Sequence, residues 1–471
     1  MVINFKFLGH STLIDGRLKQ RNSCFTNIII FILSDIILLL GMWLFSFVSN
    51  GIFNSVINII PLCLAITFAI KKSKIEIILK SKITLVTIIF LSIVVLLNIW
   101  LCSEVQFRDY LLGKSANLSD HLEHSLMFKE MEIIATRLKA GLSLSQATKG
   151  LRLNQYYNIF VYSSMMFLMG GVNPTNMCIW NAFHTAMCPI FLVLMSDRYE
   201  ISDTKHLKLI YFVTMIQPLF LSFSTYNKVI IGELLLMIAM YIYICTYNNP
   251  ISNLLCFPIY GYLMWTVRLQ YLLIAAGLFI VCLIHNKLSK KIIIPFVAAV
   301  LVGTFFILQS GVLQLYEELN INYYTEGHDL SLASIPARII RSILPYFPLS
   351  NIFGDRYWSF NVFCILQEIM NITLWGLVLF NNWKINLPHM KQTFSNPMIL
   401  AAIALLLGGT LSELHTTYLS VGTMLLTTAC VDVKGDKVLG VYLGVLISVV
   451  FLTIVYVLLG LTGSGIASVS F

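Results

Sequence analysis

Long apolar runs separated by short polar segments dominate the chain. Each run approaches the length of about 20 residues that a helix needs to cross roughly 30 Å of hydrocarbon. The runs are continuously apolar, whereas the strands of membrane barrels alternate between apolar and polar residues. The pattern predicts an all-α, polytopic transmembrane bundle of about thirteen or fourteen helices. The predicted helices cover 25–48, 52–70, 83–102, 156–170, 174–196, 209–223, 229–247, 251–267, 270–285, 292–309, 359–381, 397–412, 416–430 and 438–461.

Two long polar segments, 103–155 and 310–358, interrupt this pattern. We expect a short segment, 1–24, then one transmembrane domain, 25–461, that carries both loops, and a tail, 462–471. A long acidic loop between membrane helices does more than connect them, because it offers carboxylates to a substrate at the membrane surface. The segment 103–155 is therefore the first region in which we look for chemistry.

Lysine and arginine residues predict the orientation, because short cytoplasmic loops are enriched in both. Basic residues cluster in the amino-terminal segment and again in the loop 71–82 after the second helix. This places the amino terminus in the cytoplasm and both long loops on the outer face. The number of crossings within 156–285 stays open, since the run 156–170 either spans or only dips into the outer leaflet.

Composition excludes several classes of function. The chain of 471 residues is 58% hydrophobic and only 11% charged, which is outside the range of soluble globular proteins. Its net charge of +9 is explained by loop lysines, so we expect no nucleic-acid partner. The ten cysteines show no metal-ligand spacing, and no Walker, GxGxxG, HExxH or GxSxG motif occurs. We expect no metal and no cofactor.

Arg268 is the most conspicuous ionisable residue, because it lies alone between two apolar runs. At the outer face its guanidinium is suited to bidentate binding of a phosphate or pyrophosphate. Lys228, in a proline-broken turn between two helices, is a second candidate for the same role. The alternatives are an arginine that snorkels or pairs with another helix, and a lysine that is merely solvated.

Acids of the first long loop are candidates for the general base. The segment from Asp120 to Gly141 has helical spacing, and this brings Asp120, Glu123 and Glu130 close together on one helix or its cap. The alternative is a solvated helix face. His415, in a tight outer hairpin, is a second candidate for proton transfer or phosphate binding. His184 lies within a predicted helix and is expected to be a packed or helix-bonded core residue.

The second long loop places aromatic residues beside acids and a histidine, His328, which suits a sugar-binding surface. Arg338 and Arg341 lie one helical turn apart in a segment typical of an interfacial amphipathic helix, before the Pro345 and Pro348 break. There the two arginines are candidates for binding a lipid pyrophosphate. Lipid contact alone is the alternative.

With these residues in view, the chain resembles the bacterial membrane glycosyltransferases of the GT-C superfamily, which include the O-antigen and capsule repeat-unit polymerases. The resemblance covers roughly 119–430 and rests on the order of short segments more than on strict motifs. These segments are ATRLKAG (135–141), the asparagine-bearing run 170–199, QPLFLSFSTYNK (217–228), WTVRLQYLLIA (265–275) and ILPYFPLSNIF (343–353). The hairpin HTTYLSVG (415–422) instead resembles the histidine-bearing loop of O-antigen ligases.

The resemblance implies a glycosyltransferase of the bacterial inner membrane that joins sugar units carried on polyprenyl pyrophosphate. Its expected partners are this lipid-linked oligosaccharide, membrane lipid and a chain-length regulator protein. Arg268, Lys228, Arg338 or Arg341 would hold the lipid pyrophosphate, and a first-loop acid or His415 would activate the acceptor hydroxyl. Transfer of one sugar from a polyprenyl monophosphate, export of lipid-linked oligosaccharide and a non-catalytic scaffold remain alternatives.

Overall fold

The computed structural model describes residues 10–47, 51–73, 122–151, 157–172, 176–198, 228–286 and 396–411, together with single positions between 84 and 96 and positions 422 and 425. All regular elements in these ranges are α-helices. In chain order they are α1 (His10–Ser46), α2 (Gly51–Ile57), α3 (Ile59–Lys72), α4 (Leu122–Lys139), α5 (Leu144–Ala147), α6 (Tyr157–Gly170), α7 (Asn176–Arg198), α8 (Lys228–Thr246), α9 (Pro250–Val267), α10 (Leu269–His285) and α11 (Pro397–Leu411).

Three described segments are long and apolar enough to cross a membrane. They are Cys24–Ser46 in α1, Phe53–Lys72 in α2 and α3, and Asn176–Met195 in α7. Large apolar side chains on α1, such as Ile29, Leu40 and Leu44, are more than half exposed, as expected of a surface that faces lipid. The predicted all-α fold is confirmed for the described residues, and three of their segments have the length and composition of membrane-spanning helices, whereas the polytopic topology and the count of crossings stay predictions.

The bundle is held together by close contacts between α1 and its neighbours α3, α6 and α7. Phe31 of α1 stacks on Phe183 of α7, with ring centroids 6.0 Å apart. Met42 of α1 packs against Gly170 at the end of α6. Asp35 of α1 also contacts Tyr162 of α6. Both contacts advance along the two helices in the same order, so α1 and α6 run in the same direction.

Helix α4 forms where the sequence predicts one, and it packs along α6. Phe128 meets Phe167 of α6 with ring centroids 5.1 Å apart, and Met131, Ile134 and Ala135 are buried. This part of the loop 103–155 is therefore incorporated into the helical bundle. The side of the membrane on which the loop lies stays a prediction.

A glycine ends α4 and an arginine closes the turn that follows. Gly141 has φ +81°, its N–H donates to the Leu138 carbonyl, and the Leu142 N–H donates to the Arg137 carbonyl at 3.1 Å. These two bonds form a Schellman motif, in which glycine adopts the left-handed conformation without steric cost. The Arg137 guanidinium donates to the carbonyls of Ala147 and Lys149, at 3.0 and 2.8 Å, and so fixes the segment around α5.

Gly41 is the point of closest approach between α1 and α3. A Cβ atom at this position would collide with the Cβ atom of Pro61 and would lie only 3.0 Å from its Cγ atom. We expect Gly41→Ala to push the helices apart and to lower the free energy of unfolding by about 1–3 kcal/mol, the usual cost of overpacking. Thermal unfolding in detergent measures this loss as a lower Tm.

Gly277 of α10 supplies the matched control, since a Cβ atom there meets nothing within 4 Å. Gly277→Ala keeps the backbone helical and is expected to leave Tm unchanged or to raise it, because alanine favours helices over glycine. Equal losses in the two variants would contradict the close approach of α1 and α3.

Candidate functional site

An asparagine cluster, defined as Asn54, Ser55, Asn58 and Asn176, joins α2 and the start of α3 to the start of α7. The side-chain oxygen of Asn176, Oδ1, accepts hydrogen bonds from Ser55 Oγ and from Asn58 Nδ2, both at 3.0 Å. Its amide donates to Asn54 Oδ1 at 3.3 Å and to the Gly170 carbonyl, the last residue of α6, at 3.0 Å. All four side chains are buried, so this hydrogen bonding fixes one end of the bundle, here called the asparagine end.

The cluster also reaches α1. Asn54 Nδ2 donates to the Phe45 carbonyl in the last turn of α1 at 3.0 Å, and Asn58 Nδ2 donates to Asn54 Oδ1 at 2.9 Å. Buried amides recruit such partners because an unsatisfied polar group in an apolar surrounding is costly. The ends of α1 and α6 and the starts of α2 and α7 therefore meet at the asparagine end.

Helix α8 runs in the same direction as α7. Cys188 of α7 lies within electrostatic range of Glu233 in α8, and further along, the rings of Phe191 and Tyr241 have centroids 5.4 Å apart. Asn27, in the middle of α1, donates to the Tyr241 hydroxyl at 2.8 Å. The start of α8, at Lys228, consequently lies toward the asparagine end.

Helices α9 and α10 form an antiparallel hairpin whose tip is Arg268. The Phe257 and Phe279 rings have centroids 5.1 Å apart, and Gly261 lies against Leu272 closer to the tip. At the base of the hairpin, Asn286 Nδ2 donates to the Tyr247 carbonyl at 2.8 Å.

The hairpin returns toward the start of α8, because α8 and α9 are also antiparallel. Asn253 of α9 donates to Thr246 Oγ1 at 2.8 Å, next to the turn that joins the two helices. Further from this turn, the rings of Tyr243 and Tyr260 have centroids 6.0 Å apart. The tip at Arg268 and the start of α8 at Lys228 therefore lie at the same end of the bundle.

A single extended residue separates α9 from α10. Arg268 has φ −163° and ψ 148°, its N–H donates to the Met264 carbonyl at 3.2 Å, and its carbonyl accepts from Tyr271 at 3.0 Å. The side chain is only 9% exposed. A buried guanidinium has five donors to satisfy, and it is suited to a planar or tetrahedral oxyanion.

Two of the acids predicted for the first loop, Glu123 and Glu130, lie on α4. Glu130 is in the middle of this helix and is 9% exposed, while Glu123 lies two turns earlier, near the helix start. Phe128 packs on Phe167, close to the end of α6, so this part of α4 lies toward the asparagine end. Asp120 lies outside the described residues.

The remaining candidates of the second loop and the last hairpin, which are His328, Arg338, Arg341 and His415, also lie outside the described residues. Within the described ranges, no group of three or more histidine, cysteine, aspartate or glutamate side chains is arranged to hold a metal ion. The described part of the site thus consists of Arg268, the backbone start of α8 and the beginning of α4.

His184 is buried in α7 and bonded to its own helix, as the sequence predicts. Its Nδ1 lies 2.7 Å from the Trp180 carbonyl one turn earlier. Sequence reasoning passed over Asp35, although a carboxyl group inside the apolar run Cys24–Ser46 carries the same signal as Arg268. It also did not single out Asn54 and Asn58 of the asparagine cluster.

No protein-family model, curated protein or solved structure matches this chain. The resemblance to membrane glycosyltransferases therefore stays a prediction that depends on the residues themselves.

Proposed function

We propose that the protein is an integral-membrane glycosyltransferase that uses polyprenyl-pyrophosphate-linked sugars at the outer face of the bacterial inner membrane. Within this class, we propose a repeat-unit polymerase of O-antigen or capsular polysaccharide. Arg268 is the observation that carries the proposal, since a buried guanidinium at the tip of a helical hairpin is suited to a lipid-linked pyrophosphate.

In the proposed reaction, an acceptor hydroxyl attacks the anomeric carbon of the sugar on the donor lipid, in line with the bond that breaks. The new glycosidic bond forms as the bond to pyrophosphate breaks, and polyprenyl pyrophosphate leaves. The acceptor proton passes to Asp120, Glu123 or Glu130, or to His415, acting as general base. Arg268 and Lys228, with Arg338 or Arg341, stabilise the charge on the departing pyrophosphate, and His328 lies on the sugar-binding surface.

The proposed setting is a multi-pass protein of about thirteen or fourteen helices, with its amino terminus in the cytoplasm and the loops 103–155 and 310–358 outside. The location of Arg268 and the start of α8 at the same end of the bundle supports a single reactive face. The partners are the lipid-linked oligosaccharide, membrane lipid and a chain-length regulator protein, with no nucleic acid.

A second candidate is the export of lipid-linked oligosaccharide. Two carboxyl groups, Asp35 and Glu233, are buried within the described helices. Ionisable residues in the middle of membrane helices are typical of proton relays and transport pathways. In a third alternative, the same helical bundle transfers a single sugar from a polyprenyl monophosphate carrier.

Reconstitution separates these functions. We expect the full chain in liposomes, supplied with polyprenyl-pyrophosphate-linked oligosaccharide extracted from the producing bacterium, to yield a ladder of longer lipid-linked glycans and free polyprenyl pyrophosphate. Gel separation of the glycans and chromatography of the released lipid measure the two products. Heat-unfolded protein in the same liposomes is the control.

Two other results would overturn the polymerase proposal. Movement of the intact lipid-linked oligosaccharide between leaflets, without elongation, would identify an exporter. Addition of one sugar from polyprenyl-monophosphate sugar only would identify a single-sugar transferase.

A further inference from the structure

Three helices bring ionisable side chains together deep inside the bundle. Asp35 of α1, Tyr162 of α6 and His184 of α7, here called the buried triad, form a chain of polar contacts. At the rise of an α-helix, the three residues lie roughly 12–16 Å from the asparagine end of their helices. The triad shares no residue with the candidate site formed by Arg268 and the acids of α4.

Hydrogen-bond geometry limits the protons of the triad to two arrangements. His184 Nδ1 lies 2.7 Å from the Trp180 carbonyl, which only accepts, so Nδ1 carries a hydrogen. In a neutral ring Nε2 is then an acceptor, and the Tyr162 hydroxyl, 2.8 Å away, donates to it. The Tyr162 oxygen has used its one proton, so the hydrogen bond between Tyr162 and Asp35 requires a protonated carboxyl group as donor.

The opposite arrangement is equally satisfied. If Nε2 carries a proton, it donates to the Tyr162 oxygen, and the Tyr162 hydroxyl donates to an ionised Asp35. The two arrangements differ by one concerted shift. The Asp35 proton moves to the tyrosine oxygen as the tyrosine proton moves to Nε2. Both have zero net charge, and tyrosine is unchanged at the end.

Because the triad is buried, this proton exchange takes place between its own residues, unlike the titration of a surface group by solvent. His184 is fully buried and Asp35 is 8% exposed, and one carboxyl oxygen of Asp35 has no hydrogen-bond partner among the described residues. That oxygen stays available to receive or release a proton. The rings of Trp180 and His184, with centroids 4.5 Å apart, close the other side of the imidazole.

Other ionisable groups on neighbouring helices act on the triad at longer range. Helix α8 contributes Glu233, which acts electrostatically on Cys188 of α7. Ionisable groups on the other helices around the triad include Glu130 of α4, Cys63, Lys71 and Lys72 of α3, Tyr241 of α8 and Tyr260 of α9, while Cys188 lies on α7 itself. Among the described residues, the triad therefore has His184 at one end and Asp35 at the other, and the Tyr162 hydroxyl joins them.

We propose that Asp35, Tyr162 and His184 form a proton-transfer site, in which one proton moves between α1 and α7 through the Tyr162 hydroxyl. Its ligand is the proton itself. The proposal does not depend on the glycosyltransferase assignment, since the triad uses none of the residues assigned to the pyrophosphate or to the acceptor hydroxyl.

Solid-state NMR of the full chain in lipid vesicles, labelled with ¹⁵N-histidine, tests the proposal. We expect the Nδ1 of His184 to have the ¹⁵N chemical shift of a protonated nitrogen. We expect the chemical shift of Nε2 to lie between those of a neutral and a protonated nitrogen, because its proton is shared with the Tyr162 oxygen. His184→Gln assigns the signals by their loss, and His285, at the end of α10, serves as an internal reference.

Two isosteric variants distinguish transfer from a fixed hydrogen bond. Asp35→Asn has no acidic proton to give, and Tyr162→Phe keeps the ring but removes the path, so both should return Nε2 to the neutral value. Ser164→Ala is the matched control on α6, because the Ser164 hydroxyl bonds only the Val161 carbonyl of its own helix, at 2.7 Å. It should leave the intermediate shift unchanged.

The proposal fails if the wild-type Nε2 already has the neutral value and neither variant moves it, since the triad would then be a static hydrogen-bond chain. It also fails if the neutral ring carries its proton on Nε2. Infrared spectra supply an independent check. We expect a protonated-carboxyl band at neutral pH that disappears in Asp35→Asn, and the absence of that band in the wild type would likewise overturn the proposal.

Discussion

Arg268→Ala should reduce glycan elongation by about 10²–10³-fold, the typical loss when one donor to a developing oxyanion is removed. The side chain is buried at the tip of the hairpin of α9 and α10, where water is a poor substitute for the guanidinium. Arg268→Lys retains the charge but loses the planar pair of donors, and it should recover only part of the rate. The ladder of lipid-linked glycans formed in liposomes measures all three proteins.

A surface cation provides the control for this experiment. Lys139, at the end of α4, is exposed, so Lys139→Ala removes one positive charge without touching the hairpin. We expect its elongation rate to match the wild type. Wild-type rates in Arg268→Ala, with unchanged Tm, would show that Arg268 is a structural arginine and would remove the main support for the proposed function.

Asn176→Leu should be the most destabilising of the substitutions considered. The side chain accepts two hydrogen bonds and donates two, and it links α2, α6 and α7. Each buried partner left unsatisfied costs about 1–3 kcal/mol in water-soluble proteins, although interhelical bonds in membranes average nearer 0.6 kcal/mol. We expect a loss of about 2–4 kcal/mol, seen as a lower Tm in detergent.

Ser34→Ala is a suitable comparison, because the Ser34 hydroxyl donates only to the Ile30 carbonyl of its own helix, at 2.7 Å. Removing a bond within one helix leaves the packing between helices intact, so the change in Tm should be small. Similar losses in the two variants would show that the asparagine cluster does not hold the helices together.

Helix positions could be predicted from the sequence wherever an apolar run has clear polar limits. The run predicted over 251–267 is α9 (Pro250–Val267), and the run over 270–285 is α10 (Leu269–His285). Asn249 accepts from the Ser252 N–H at 3.1 Å, and Pro250 follows it, which is the usual start of a helix. A run of apolar residues and its cap are local features, so one sequence is enough to find them.

The position of Arg268 was also predictable, since one charge between two apolar runs marks the tip of a hairpin. The buried triad was not predictable, because Asp35, Tyr162 and His184 are far apart in sequence and meet only when three helices pack. Hydropathy places each of them inside a helix but carries no information about which helix face meets which. Their contact is a property of tertiary packing alone.

Helix α6 is shorter than the hydrocarbon core of a bilayer is thick. The effect of this difference on the protein depends on how much of α6 contacts lipid. Its 14 residues give a length of about 21 Å, against roughly 30 Å of hydrocarbon. None of its residues is exposed, because α1, α4, α7, α8 and α9 surround it. These neighbours cover much of the short helix, so changes in acyl-chain length should have little effect on the surroundings of Tyr162.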